Sequence, residues 1–302
     1  MKKFLKKNWS TILIVLAFFV GIGLLLYPTI ADWWNSYHQT RAIVNYDETV
    51  ENLSDDEYET MLEEAEAFNE WLNESHTGGF SFDEEETEYY ESVLDVTGTG
   101  IMAYLEIAKI DVYLPIYHGT GDSVLQVGIG HLEGSSLPIG GTGTHAVLSG
   151  HRGLTSARLL TDLDEMEVGD TFIIHTLGET LTYEVDQILI VLPTETGALS
   201  VDPDEDYVTL MTCTPYGINT HRLLVRGHRV ENASDVSVTA DATQLDTTMV
   251  ASVIAAIILI ILFVWVMLRG RRKKRKKTVQ NMADKAAGKN AAEHRDQNAQ
   301  GS

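Results

Sequence analysis

The stretch "TLMTCTPYGINTHRLLVRG", Thr209 to Gly227, reads as two β-strands around a turn. Its flanking runs, "YVTLMTC" and "RLLVRGHRV", are short, apolar and β-branched, and "TPYG" between them carries the proline and glycine of a turn. The first run ends on Cys213, the only cysteine in 302 residues, and the second begins at Arg222. If the two strands are antiparallel neighbours, the loop from Thr214 to His221 returns Arg222 beside the cysteine. A thiol at the rim of a sheet, followed by a turn, is within reach of a substrate.

Working outward, five more strand-like runs precede this pair: "MAYLEI", "VYLPIY", "THAVLSG", "TFIIHTL" and "LTYEVDQILIVL". All follow "TGTG" at Thr97 to Gly100, and short strands closely spaced with turn signals between them predict a closed barrel or a sandwich over 100–232. The texture upstream, over 32–99, is acidic and helical. Ser54 followed by Glu57 makes a capping box, Asp55 and Asp56 suit the positive end of a helix dipole, and Tyr58, Met61, Leu62, Ala65, Phe68 and Leu72 recur at helical spacing. That stripe requires a surface to pack on.

Two uncharged apolar runs bound these regions, "TILIVLAFFVGIGLLLY" over 11–27 and "MVASVIAAIILIILFVWVML" over 249–268. The second is long enough for roughly 30 Å of bilayer hydrocarbon, and the first is near the lower limit. Lys2, Lys3, Lys6 and Lys7 precede the first, and "RGRRKKRKK" follows the second. The positive-inside rule then puts a basic N-terminus (1–10) and a basic tail (269–302) in the cytoplasm. Everything between the two spans, including a linker over 233–248, falls outside, in a two-pass cell-membrane protein. A cleaved signal peptide is the alternative for the first run, and an uncleaved anchor is the reading adopted.

The segment between the runs holds 41 acidic and seven basic residues, which excludes nucleic acid as a partner because counterion release needs clustered cations. Outside the cell a single cysteine has no intrachain disulfide partner, and an inert exposed thiol is a liability there. A thiolate nucleophile needs a base or cationic surroundings and a donor for the oxyanion it creates. "LSGHRG" ends another strand-like run on His151, but spacing alone does not choose among His118, His131, His145, His151, His221 and His228. The Gly-rich "GIGHLEGSSLPIGGTGTH" lacks the Gly-Lys-Ser/Thr of a phosphate cradle and reads as loop; a zinc deaminase would need P-C-x-x-C besides His131-x-Glu133, and one cysteine cannot supply it. No metal and no cofactor are implied.

"TLMTCTPYGINTHRLLVRG" resembles the signature of sortases, the Gram-positive surface transpeptidases, in which a T-L-x-T-C strand carries the nucleophile and an arginine lies just downstream. "GIGHLEGSSLPIGGTGTHAVLSGHRG" looks like the segment with the sortase histidine, and "GIMAYLEIAKIDVYLPIYHGT" like the first strands. With the helical N-terminal region and the second apolar run, the resemblance is to the pilin-polymerising class C enzymes. It implies an eight-stranded sortase β-barrel, with Cys213 as nucleophile, His151 as general acid and base, and Arg222 as substrate-positioning, oxyanion-stabilising residue. It also implies LPXTG-type pilin precursors as substrates and a pilin lysine as acceptor. Class C relatives commonly carry a lid with an Asp-Pro-aromatic motif. In "TGGFSFDEEE" Phe80 stands for the aromatic, Gly78 and Gly79 replace the Asp and Pro, and Asp83 is the substitute for the aspartate.

Overall fold

In the computed structural model, residues 2–75, 79–232 and 250–265 are described. The chain divides into two compact units, Tyr27–Ala240 and Met1–Leu26 with Asp241–Ser302. Helix α1 (Lys2–Glu51) contains Pro28, so no break in the helix marks the predicted end of the anchor at Tyr27. Proline removes one helical hydrogen bond and normally kinks a helix in water, and such breaks are tolerated next to membranes.

Helix α2 (Asp55–Ser75) starts at the predicted capping box: Glu57 accepts from the Ser54 N–H at 2.9 Å and the Ser54 hydroxyl accepts from the Glu57 N–H at 3.3 Å. Its stripe packs as the periodicity requires, with Ala65 and Phe68 fully buried in the main core and Tyr58, Met61 and Leu62 beside them. Helix α3 (Glu84–Ser92) buries Tyr90 in its last turn.

The barrel follows in β1 (Ile101–Ile107), β2 (Val112–His118), a single turn of helix α4 (Asp122–Leu125), β3 (Ile129–His131), β4 (Thr144–Ser149), β5 (Thr171–Thr176), β6 (Glu179–Val191), β7 (Asp206–Thr214) and β8 (His221–Arg229). The strands close in the order β1-β2-β3-β4-β7-β8-β6-β5, with β5 pairing back to β1. Two neighbouring pairs, β2/β3 and β4/β7, are parallel; the others are antiparallel. All seven strands anticipated from the sequence are present. The eighth, β3, lies inside the Gly-rich passage read as loop. Three residues buried on every side offer no alternation to detect, and a Cβ at Gly130 would stand 2.4 Å from the Gly119 carbonyl oxygen, so a bulkier strand residue has no room there.

In the other unit, the 18-residue apolar window of α1 has mean hydropathy 2.4 and none of it is buried, so α1 is long and apolar enough to cross a membrane. Helix α5 (Val250–Trp265) is shorter, and its Phe263 ring stacks on Phe18 at 4.0 Å. The rest of the second apolar run, the linker over 233–248, the tail over 269–302 and Gly78 lie outside the described residues.

Between α3 and the barrel sits His131, one of the histidines left open by the sequence. Its Nε2 donates to the Ser136 carbonyl at 2.7 Å, and its Nδ1 accepts from the Tyr90 hydroxyl at 2.9 Å, which in turn accepts the Gly119 N–H. One donating and one accepting nitrogen define a neutral imidazole, and complete burial pushes its pKa down to about 4. A histidine held below its unfolded value of about 6.5 stabilises the fold above pH 6.5, and that contribution is lost as pH falls from there to about 4. In guanidinium unfolding, the wild type should therefore lose about 3 kcal/mol more than His131→Gln across that interval. Equal slopes for the two proteins would refute the assignment of a neutral, buried imidazole.

Candidate active site

Side chains alternate along a strand, so the core residues tell which way the others point. On β7, Val208 and Leu210 belong to the barrel core, which sends Met211 and Cys213 to the outer face. On β8, Leu223 and Val225 are in the core, which sends Arg222, Leu224 and Arg226 outward. Cys213 pairs with Arg222 across the β7/β8 ladder, so thiol and guanidinium side chains emerge from adjacent strands on one face.

The third group comes from the other flank. Strand β4 runs parallel to β7, with Ser149 level with Met211, and the Gly150 N–H continues the ladder to the Met211 carbonyl at 3.0 Å. Thr212 Oγ1 donates to the Gly150 carbonyl at 2.8 Å. Extending the register two places brings His151 level with Cys213. Accordingly, His151, Cys213 and Arg222 line one cavity of about 250 Å³, together with Ser149, Met211 and Leu132. Thr120 and Leu125, from the α4 region, also border it. Neither stood out in the sequence, because a turn residue and a lone leucine carry no pattern.

Of the other open histidines, His118, His131, His145 and His221 have structural partners. His145 is almost fully buried between the Ser200 carbonyl, 2.9 Å from Nδ1, and Thr209 Oγ1, 2.7 Å from Nε2; burial lowers its pKa. His118 reaches the Gly100 and Val93 carbonyls with its two nitrogens at 3.1 and 2.7 Å. His221 bonds to Thr220 at 2.9 Å. Of the six, His151 is the one that lines the cavity with Cys213.

Arginines separate in the same way. Arg226, two outward positions further along β8, grips Asp186 with two bonds of 3.0 and 2.6 Å and lies 4.1 Å from the Tyr207 ring centre. Arg152 and Arg158 are paired with Asp164 and Asp162. Arg222 donates only a 3.3 Å bond to the neighbouring His221 carbonyl, and among the described residues no carboxylate pairs with it. In a chain of net charge −22, a half-buried arginine kept clear of carboxylates is available to an incoming oxygen.

Loop contacts hold the histidine against the strand pair. A Cβ at Gly153 would lie 2.7 Å from the Tyr216 ring and its φ is +78°, so the "TPYG" tyrosine closes on the "GHRG" turn where only glycine fits.

The anticipated lid residues go to two places. Phe80 packs in an outer-face apolar cluster with Val147, Leu224, Leu132 and Met211, the last two of which also line the cavity. Asp83 is the N-cap of α3: it accepts from the Glu85 and Glu86 N–H groups at 3.0 and 2.9 Å, while Glu86 accepts from its own N–H. Its carboxylate thus serves the helix, and Asp83 does not line the cavity that holds the thiol. Phe82 joins Phe68, Trp71 and Tyr90 in the main core.

The sortase domain family matches residues 105–230. Sortase C1 from Streptococcus agalactiae has a solved structure that is 49% identical, aligned over 64% of this chain and 100% of that one, with a TM-score of 0.62. The chain belongs to the sortase family. A second solved relative, sortase C of Streptococcus pneumoniae, is 43% identical over 65% of this sortase and 100% of its own chain, with a TM-score of 0.58, and the likeness is to class C. Sortase SrtE1 of Streptomyces coelicolor is 28% identical over 225 residues, 70% of this chain and 54% of that protein. The match spans less than two thirds of the length of each curated relative.

The approach of the Gly79–Phe80 segment to the barrel is tight enough to test. A Cβ at Gly134 would stand 2.1 Å from the Gly79 carbonyl oxygen, at φ +78°. Gly134→Ala should destabilise the sortase by about 1–3 kcal/mol, as overpacking does, and speed proteolytic cleavage around residues 79–82. Gly169→Ala has a similar φ, +97°, and open space around it, so it should show backbone strain of about 1 kcal/mol without the new cleavage.

Proposed function

We propose that this sortase is a membrane-held cysteine transpeptidase that cleaves an LPXTG-like sorting signal and joins the acyl fragment to a pilin lysine, polymerising pili. The observation that carries the reading is the shared register, with Cys213 flanked by His151 on the β4 side and Arg222 on the β8 side. In the first half-reaction the Cys213 sulfur attacks the threonine carbonyl carbon. The negative charge passes to the carbonyl oxygen, which Arg222 stabilises. The threonine–glycine C–N bond then breaks, and His151 delivers a proton to the departing amine. In the second, a lysine amine gives up a proton, attacks the thioester carbonyl and releases the thiol, leaving an isopeptide bond. The thioester conserves the energy of the broken peptide bond, so no nucleotide is consumed.

The membrane topology belongs to the same reading: two passes, both termini cytoplasmic, and the barrel outside where secreted precursors arrive. Cell-wall anchoring would use the same chemistry with a wall-precursor amine, and a peptidase would use water; the amine requirement of the product separates all three.

Cys213→Ala should form no thioacyl adduct with an LPXTG peptide by mass spectrometry and should cross-link no pilin; cross-linking equal to the wild type would sink the mechanism. Arg222→Ala should lower kcat on the order of 10²–10³, as expected for a lost oxyanion donor. Arg226→Ala, on the same face but paired with Asp186, should lower thermal stability while leaving kcat near wild type. For the lid, Phe80 fills the apolar groove beside the cavity, so Phe80→Ala should raise the rate at which Cys213 reacts with a small thiol reagent. An unchanged rate would show that Phe80 is packing alone.

A further inference from the structure

The part of α1 from Tyr27 to Gln39 has two opposed faces. At about 100° per residue, Asp32, Asn35 and Gln39 fall within a sector of roughly 60°, and Tyr27, Ile30, Trp33, Trp34 and Tyr37 fall in a broader sector on the opposite side.

The polar face is bonded to the barrel. Asp32 Oδ1 accepts the Arg158 N–H at 2.8 Å, Asn35 Nδ2 donates to the Ser156 carbonyl at 2.8 Å, and Gln39 Nε2 donates to the Val127 carbonyl at 2.9 Å. Ser156 and Arg158 lie in the loop that leaves His151, and Val127 follows α4, whose Leu125 borders the cavity. One helix edge therefore holds the backbones of two cavity loops. The opposite face is bare: Trp33 and Trp34 are 56% and 58% exposed, and Tyr27, Ile30 and Tyr37 between 54% and 58%. This stripe starts where the uncharged apolar run ends in the sequence. Tryptophan and tyrosine have an apolar body and a polar tip, which suits them to the headgroup zone at the end of a membrane span.

We propose that this stretch of α1 is a brace, seated by its aromatic stripe in the headgroup region of the bilayer and positioning the His151 loop through Asp32, Asn35 and Gln39. The bilayer is the occupant because the stripe continues an apolar run of mean hydropathy 2.4 that is itself unburied. The positioning role rests on the reading of Cys213 and His151 as the reacting pair; the membrane seat does not.

The test uses the full chain in vesicles of phosphatidylcholine with a minority of phosphatidylglycerol. A nitroxide on Tyr37→Cys, in the Cys213→Ala background, should relax more with oxygen than with a water-soluble nickel chelate. A nitroxide on Val168→Cys, at a position 66% exposed, should show the reverse. Behaviour like the Val168 control, or shielding from both reagents as a second copy would give, overturns the seat. For the positioning role, the pH–rate profile of Cys213 alkylation by iodoacetamide is measured in the wild type and in Asn35→Ala/Gln39→Ala. Alkylation should slow roughly threefold to tenfold, with a displaced profile, at an unchanged unfolding midpoint, and Asn35→Gln should restore part of the rate. An unchanged profile overturns the positioning role. Because alkylation needs no peptide, a displaced profile without peptide cleavage would reject the sortase chemistry while leaving the brace standing.

Discussion

Everything at the candidate site depends on the backbone ladder that joins β4, β7 and β8. Hydrogen bonds between neighbouring strands fix which residues stand level, and a slip of one position would turn the side chains to the other face. With Ser149 level with Met211 and Cys213 level with Arg222, the thiol has one neighbour on each side. The Gly150 N–H and the Thr212 hydroxyl carry the β4 pairing past the end of the regular strand to the residue before His151. The sheet thereby sets the places of Cys213 and Arg222, and the ladder bonds at Gly150 anchor the loop that carries His151, the arrangement that preorganised catalysis needs.

What distinguishes the candidate site groups from their chemical twins is what they are not bonded to. His131 and His145 each satisfy both ring nitrogens with neighbours, His118 turns its ring to the Gly100 and Val93 carbonyls, and Arg226 is clamped by a carboxylate and an aromatic face. In so acidic a protein a paired arginine is the expected fate. Arg222 escapes it because its β7 neighbour is a cysteine and its β6 neighbour Val191, neither of which carries a charge.

The part of α1 from Tyr27 onward, α2 and α3 belong to the compact unit that bears this site. The α2 stripe buries Phe68 in the barrel core, the Asn69 side chain accepts the Leu137 N–H at 2.7 Å, and Tyr90 reaches His131 beneath β3. Tyr46 of α1 donates to the Met102 carbonyl and accepts the Leu177 N–H, and burial raises its pKa to about 12. Burying aromatic side chains of this size stabilises by roughly 1.5–3 kcal/mol each, so Tyr46, Phe68 and Tyr90 tie the helical segments of this unit to its barrel. Phe80, shortly before α3, packs against the outer face of the sheet.

The sequence by itself determined seven of the eight strands, the capping box at Ser54 and Glu57, the apolar stripe of α2, and the pairing of Cys213 with Arg222. Each of these is a local pattern: alternation, helical period, or two strands joined by one turn. Spacing left six histidines equivalent, and only the resemblance singled out His151, because a histidine's partners lie far along the chain: Ser200 for His145, Tyr90 for His131. The sequence also missed β3, too short to have a period, and it assigned to Asp83 a place at the thiol when that carboxylate caps its own helix. Only the tertiary structure decided these points. The parallel pairing of β4 with β7 joins segments some sixty residues apart, and nothing in either segment alone records that the other lies beside it.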